Sequence, residues 1–162
     1  CRVKPKTATL VPEKRQELTT EGGLDVAGEF AAIKPVVARL KEAGILVSFF
    51  IDPDLRQVEA SRELRADAVE FHTGAYCDAP DPDTAGREME RLKVAVEAAS
   101  RTGTKVCAGH GLNYGNTAAI VDALPEVVEY NIGHAIVARA LFVGMREAVR
   151  EMKALITPSR GR

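Results

Sequence analysis

What the chain has little of narrows its function first. It has no excess of charge of either sign: 22 Lys and Arg stand against 23 Asp and Glu, a formal net charge of −1. That balance supplies no basic field for nucleic acid and no polybasic patch for a membrane surface. The cations are scattered along the chain, as on a solvated mixed surface. No apolar run approaches the roughly 20 residues that cross a bilayer. The opening, CRVKPKTATL, has no apolar core followed by a cleavage site, so no secretory leader is expected. Cysteine is scarce: Cys1, Cys77 and Cys107 are odd in number and lack metal-type spacing. Free thiols in a reducing cytoplasm suit them better than a disulfide. Cys107, inside an apolar run, reads as a small core residue. No linker or low-complexity stretch divides residues 1–162, which are expected to form a single domain with a frayed tail at Arg160–Arg162.

What is present is an alternating pattern. Of the 162 residues, 46% are hydrophobic, enough for a sizeable core. Five short apolar runs read as buried strands: Thr7–Val11, Ile45–Ile51, Ala68–His72, Lys105–Ala108 and Val128–Ile132. Between them lie helical stripes. One carries Val36, Val37 and Leu40 and closes at Gly44, with Pro35 in its first turn or kinking it. Others run from Asp54 to Leu64, Thr84 to Thr102, Thr117 to Leu124 and Ala135 to Ile156. Strict βα alternation implies an α/β fold with parallel strands covered by helices. A doubly wound open sheet and part of a (β/α)₈ barrel both satisfy it. The first unit lacks a G-x-G-x-x-G fingerprint, which weakens a dinucleotide-binding open sheet.

The polar residues cluster by position. His72, His110 and His134 all stand at or just beyond the C-terminal end of an expected strand, and Asp52 ends another. In parallel α/β folds that rim is where sites are built. Within the run Ala68–His72, Glu70 and His72 share one face while Val69 and Phe71 share the other. If the apolar pair meets the helices, Glu70 points inward, where a carboxylate is costly unless paired or used. A structural ion pair, with Lys105 for example, is the bland alternative. Gly109-His110-Gly111 and Gly133-His134 follow the last two strands, where bare backbone can approach a ligand. A helix opening near Ala135 would aim its positive end at the same place. The loop from Gln16 to Val26 is long for a βα connection, and its Thr19 and Thr20 offer hydroxyls.

The segments LVPEKRQELTTEGGLDV, FFIDPD, ADAVEFHTGAYCDA, AGHGLNYGN and PEVVEYNIGHAIVARALFVGMREAVREMKALI occur in that order from about Val3 to Ile156. They resemble successive segments of the pyridoxine 5'-phosphate synthase family. The resemblance implies a (β/α)₈ TIM barrel with extra helices, of which this chain would hold the last five strands, three upstream βα units being absent. It suits a chain that does not begin with Met and opens almost directly on a strand. It implies condensation of 1-deoxy-D-xylulose 5-phosphate with 3-amino-2-oxopropyl phosphate, in the cytoplasm, by a homo-octamer that needs no metal or organic cofactor. Its partners would be small phosphorylated molecules. By the same resemblance, His110 matches a proton donor and Glu70 a carboxylate that stabilises a transition state. Thr19 matches a contact to the deoxyxylulose phosphate, and Gly111, Gly133 and His134 match contacts to the aminooxopropyl phosphate. The chain departs from the family's usual Tyr-His-Asn at Tyr114-Gly115-Asn116.

Two rivals come from other classes. One is a metal-dependent hydrolase in which Glu70, His72, His110 and His134 converge on zinc or iron. The other is a non-catalytic remnant that binds phosphate, because five strands cannot close an eight-stranded barrel.

Overall fold

The computed structural model describes residues 3–12 and 22–157. The charge run Glu13–Arg15, Thr19, Thr20, Cys1 and the tail at 160–162 lie outside them. The expected βα alternation is present. The strands are β1 (Thr7–Leu10), β2 (Leu46–Ile51), β3 (Ala68–His72), β4 (Lys105–Gly109) and β5 (Glu129–Asn131). They form one sheet in the order β1-β2-β3-β4-β5, with every neighbouring pair parallel. The helices are α1 (Phe30–Glu42), α2 (Leu55–Glu63), α3 (Gly74–Cys77), α4 (Pro82–Arg101), α5 (Thr117–Ala123), α6 (His134–Val143) and α7 (Met145–Ile156).

Strand order decides between the two architectures. Each strand pairs with the next in sequence, so right-handed crossovers carry the helices to one side of the sheet. A doubly wound sheet reverses its order part-way and places helices on both sides. The chain is therefore five strands of a singly wound (β/α) barrel, and β1 and β5 are the edges of the described sheet.

The core lies between sheet and helices. Val47, Phe49, Ile51, Val69, Phe71, Val106 and Ala108 point outward from the strands and are almost wholly buried. They belong to one cluster with Ile33 and Val37 of α1, Val58 of α2, Leu92 and Val96 of α4 and Ile120 of α5. Each large side chain of this layer contributes on the order of 1.5–3 kcal/mol by leaving water. Local signals mark the helix ends. Asp54 accepts from the Arg56 N–H at 2.7 Å ahead of α2, and Asp81 accepts from the Thr84 N–H at 2.8 Å ahead of α4. Pro82 opens α4, where its missing N–H costs nothing. Gly44 and Gly103, with φ of 74° and 77°, follow the ends of α1 and α4 as expected.

Of the two placements expected for Pro35, the first turn is not the one taken: it stands inside α1, in the second turn. Two features differ from the sequence reading. The short α3 was not anticipated, because four residues carry too little periodicity to register. The single helix expected over Ala135–Ile156 is two, broken at Gly144. Gly144 has φ 81° and ψ 154°, a backbone region that is essentially glycine's alone. Arg139 of α6 donates to both carboxylate oxygens of Glu151 in α7, at 2.8 and 3.0 Å, and links the two helices across the break. α7 buries Ala148 and Met152, whereas α6 buries none of its residues and leaves Leu141 and Phe142 largely exposed.

A Cβ at Gly144 would meet nothing within 4 Å, so Gly144→Ala tests backbone conformation alone. It is expected to cost about 1–3 kcal/mol in chemical denaturation, with no change in core packing.

Candidate active site at the C-terminal rim

Helix packing against one face of β3 sends Glu70 and His72 to the other. Val69 and Phe71 are sealed on the helix side, while Glu70 lies in register with Phe50 of β2 and Cys107 of β4 on the inner face. Cys107 is buried as expected, but beside Glu70 rather than among the helices; burial pushes its thiol up to about 11. The partner of Glu70 is not Lys105, which pairs with Glu129. It is Asn131 at the end of β5, whose Nδ2 donates to Glu70 Oε2 at 2.8 Å. Partial burial pushes the Glu70 carboxyl above its usual range; the Asn131 hydrogen bond opposes this and the Glu129 charge adds to it. Gly109, between these two side chains, leaves them room. A Cβ there would collide with Glu70 Oε1 and stand 3.0 Å from the Asn131 carbonyl oxygen.

His110 follows β4 in a left-handed conformation, φ 77°, which a side chain with a Cβ rarely adopts. Thr73, fully buried just after β3, holds that turn. Its N–H and its hydroxyl both donate to the Gly109 carbonyl at 2.9 Å, and the hydroxyl also reaches the His110 carbonyl. Gly111 repeats the left-handed φ at 77°, and a Cβ on it would stand 2.6 Å from Cys77 Cβ. The His110 ring lies 4.6 Å from the His72 ring and 6.5 Å from Phe50, centroid to centroid. Burial holds the His110 imidazole below its ordinary pKa. Positive charge on His72 and His134 adds to that, and the Asp78 carboxylate opposes it.

Several of these groups border one cavity of about 910 Å³. Phe50, Glu70, His110, Gly111, Gly133 and His134 all line it. α6 opens on it at His134, one residue earlier than expected, with Gly133 as its N-cap and no side chain satisfying the first-turn N–H groups. Among the described residues, a Cβ at Gly133 would meet nothing within 4 Å, so none of them fills the space before those donors. Five of the six residues singled out from sequence thus border one space, and the sixth, Thr19, lies outside the described residues. Among the described residues, no three His, Cys, Asp or Glu side chains are grouped as the ligands of a metal ion would be. Nor is any described helix long and apolar enough to cross a membrane.

Sequence reasoning missed Asn131, Thr73 and Asp78. Asn131 and Thr73 act across 61 and 36 residues, through pairing that no local pattern encodes. A polar residue ending a strand beside an expected site residue was the available signal for both.

The family model described as "Pyridoxal phosphate biosynthesis protein PdxJ" matches residues 1–158. The chain belongs to that family. It is 53% identical over 155 residues to the "Pyridoxine 5'-phosphate synthase" of Pelobacter propionicus and, at the same identity and length, to that of Syntrophotalea carbinolica. Each match covers 96% of this chain and 64% of the relative, so the PdxJ chain spans a little under two thirds of their length. A structure titled "Putative Copper Homeostasis Protein CutC", from Streptococcus agalactiae, superposes with TM-score 0.29 at 15% identity, over 78% of this chain and 97% of its own.

Two outcomes test the Glu70 geometry of this PdxJ chain. The folded carboxyl titrates above the unfolded one, so ionisation of Glu70 destabilises the fold as pH rises through that interval. Glu70→Gln keeps an acceptor for Asn131 and should raise the melting temperature near pH 8, with the gain gone near pH 4. Gly109→Ala forces Glu70 and Asn131 apart; a loss of about 1–3 kcal/mol in denaturant unfolding is expected, as for other overpacked sites.

Proposed function

We propose that this chain carries part of the active site of a pyridoxine 5'-phosphate synthase, working in the cytoplasm on two small phosphorylated substrates. The reaction joins 1-deoxy-D-xylulose 5-phosphate and 3-amino-2-oxopropyl phosphate and releases pyridoxine 5'-phosphate, phosphate and water. The observation that carries the proposal is the convergence of Glu70, His110 and the two Gly-containing turns on one cavity at the strand ends. A family member with these residues elsewhere would not support it.

Imine formation, dehydration, phosphate loss and ring closure each move a proton at carbon, nitrogen or oxygen. His110 donates one to a leaving oxygen, and its half-buried ring suits an acid that gives up its proton readily. Glu70 offsets positive charge developing on the imine, an electrostatic role that strengthens once the cavity is closed to water. Gly111, Gly133 and His134 hold the phosphate of the aminooxopropyl substrate against the first turn of α6. Thr19 contacts the deoxyxylulose phosphate. No metal or organic cofactor takes part, and the working assembly is a homo-octamer.

The relatives' further length completes the enclosure. Five strands leave the cavity open along β1 and β5, so water reaches groups that act best in a dry site. Assayed as these 162 residues, the chain is expected to give no pyridoxine phosphate; joined to a segment that restores the relatives' length, it is expected to turn over. In that longer protein His110→Asn should lose about 10²–10⁴ in turnover. Near-normal turnover would remove His110 from the proton-donor role. The rate limb that needs protonated His110 should fall as pH rises through a value below that of an ordinary imidazole, since burial depresses it. A pH–rate profile of the same protein checks this.

A further inference from the structure

The roles above leave His72 unused, although it is more deeply buried than His110. Its Nδ1 lies 3.2 Å from Asp52 Oδ1, while its Nε2 is buried without a hydrogen-bond partner among the described residues. Asp52 is held in turn at the end of β2 by the Gly23 N–H, at 3.0 Å. An ionised carboxylate only accepts, so His72 donates from Nδ1, and it is in the neutral ring that Nε2 carries a free lone pair. A buried acceptor left unpaired costs on the order of 1–3 kcal/mol, and such groups persist where they serve a site.

The two imidazoles meet across Gly74. A Cβ on that residue would stand 2.8 Å from both Nε2 and Cε1 of His72 and 3.2 Å from Cδ2 of His110. A second cavity of about 570 Å³, bordered by Asp52, His72, Gly74, Asp78, Arg91 and His110, adjoins this contact. His110 therefore borders both spaces, whereas His72 borders only the second.

We infer that Asp52 and His72 are a positioning pair for His110: Asp52 fixes the His72 tautomer, and the fixed ring holds His110 in place and governs the charge it carries. The contribution to turnover rests on the proposed role of His110; the pair itself does not. Among the described residues the charged neighbours of the cluster are few. His110 faces His72 from β3, Asp78 from beyond α3 and His134 from α6. Asp52 faces His72 and, from α4, Arg91. The His72 hydrogen bond is the chief influence holding the Asp52 carboxyl below its usual range, against partial burial and with help from the Gly23 N–H.

Nitrogen-15 NMR of the three histidines, on the 162-residue chain without substrates, tests this. His72 should be the Nδ1–H tautomer when neutral; a dominant Nε2–H tautomer overturns the pair, and this measurement needs no variant. Asp52→Asn should release His72 into a mixture of tautomers. His72→Gln should move the His110 titration midpoint upward, because one source of like charge is gone. A midpoint coincident with that of the unaltered chain, in a variant whose amide spectrum is still folded, also overturns the inference. No substrate is present, so the titration answers for the pair alone, while turnover of His110→Asn answers for the reaction.

Discussion

A strand has two faces, and in β3 the helices claim one of them completely. Val69 and Phe71 can leave water only by turning outward, and period-two geometry then fixes Glu70 and His72 on the inside. Neither polar group would choose that position alone. The apolar gain of the outer layer holds them there, and everything at the rim follows from it. Asn131 bonds Glu70, Asp52 meets His72, and Gly109 stays bare so that β4 and β5 can close on the carboxylate. Shifting β3 by one residue would put the carboxylate among the helices and dismantle the site in a single step.

The rim itself is tightly tied. Thr73 fastens the end of β4 to the end of β3 with two bonds to one carbonyl, and Tyr114 in the next loop donates to the Ala148 carbonyl at 2.8 Å. Through that bond α7, the helix that does bury a face, steadies the loop carrying His110. Such supports allow a histidine to occupy a left-handed turn without the chain relaxing away from it. They place the described groups of the site on regular elements and short turns.

Much of this was legible before any coordinates, for a physical reason. Strand alternation and the positions of Gly44 and Gly103 are local properties, so the five strands and the shared face of Glu70 and His72 could be read from residue types alone, whereas their order in the sheet could not. The family resemblance added the roles assigned to His110, Glu70, Gly111, Gly133 and His134. What stayed hidden depends on contacts between distant segments. Asn131 as partner of Glu70, Thr73 as a clamp, Cys107 on the inner face and the meeting of His72 with His110 all require knowing which strands lie side by side. The break at Gly144 was hidden for another reason: apolar residues on both sides keep a helical period, and only the backbone angles of one glycine interrupt it.

The turn at residue 110 also bears on how the protein can change over generations. Glycine or asparagine would rest there more comfortably, so backbone energetics alone push against histidine at that position. Under the proposed proton-donor role, the imidazole endures only while selection on that chemistry outweighs that push. In a lineage released from that demand, position 110 is where drift toward glycine would stabilise the fold, and the residue found there would record whether the demand still holds.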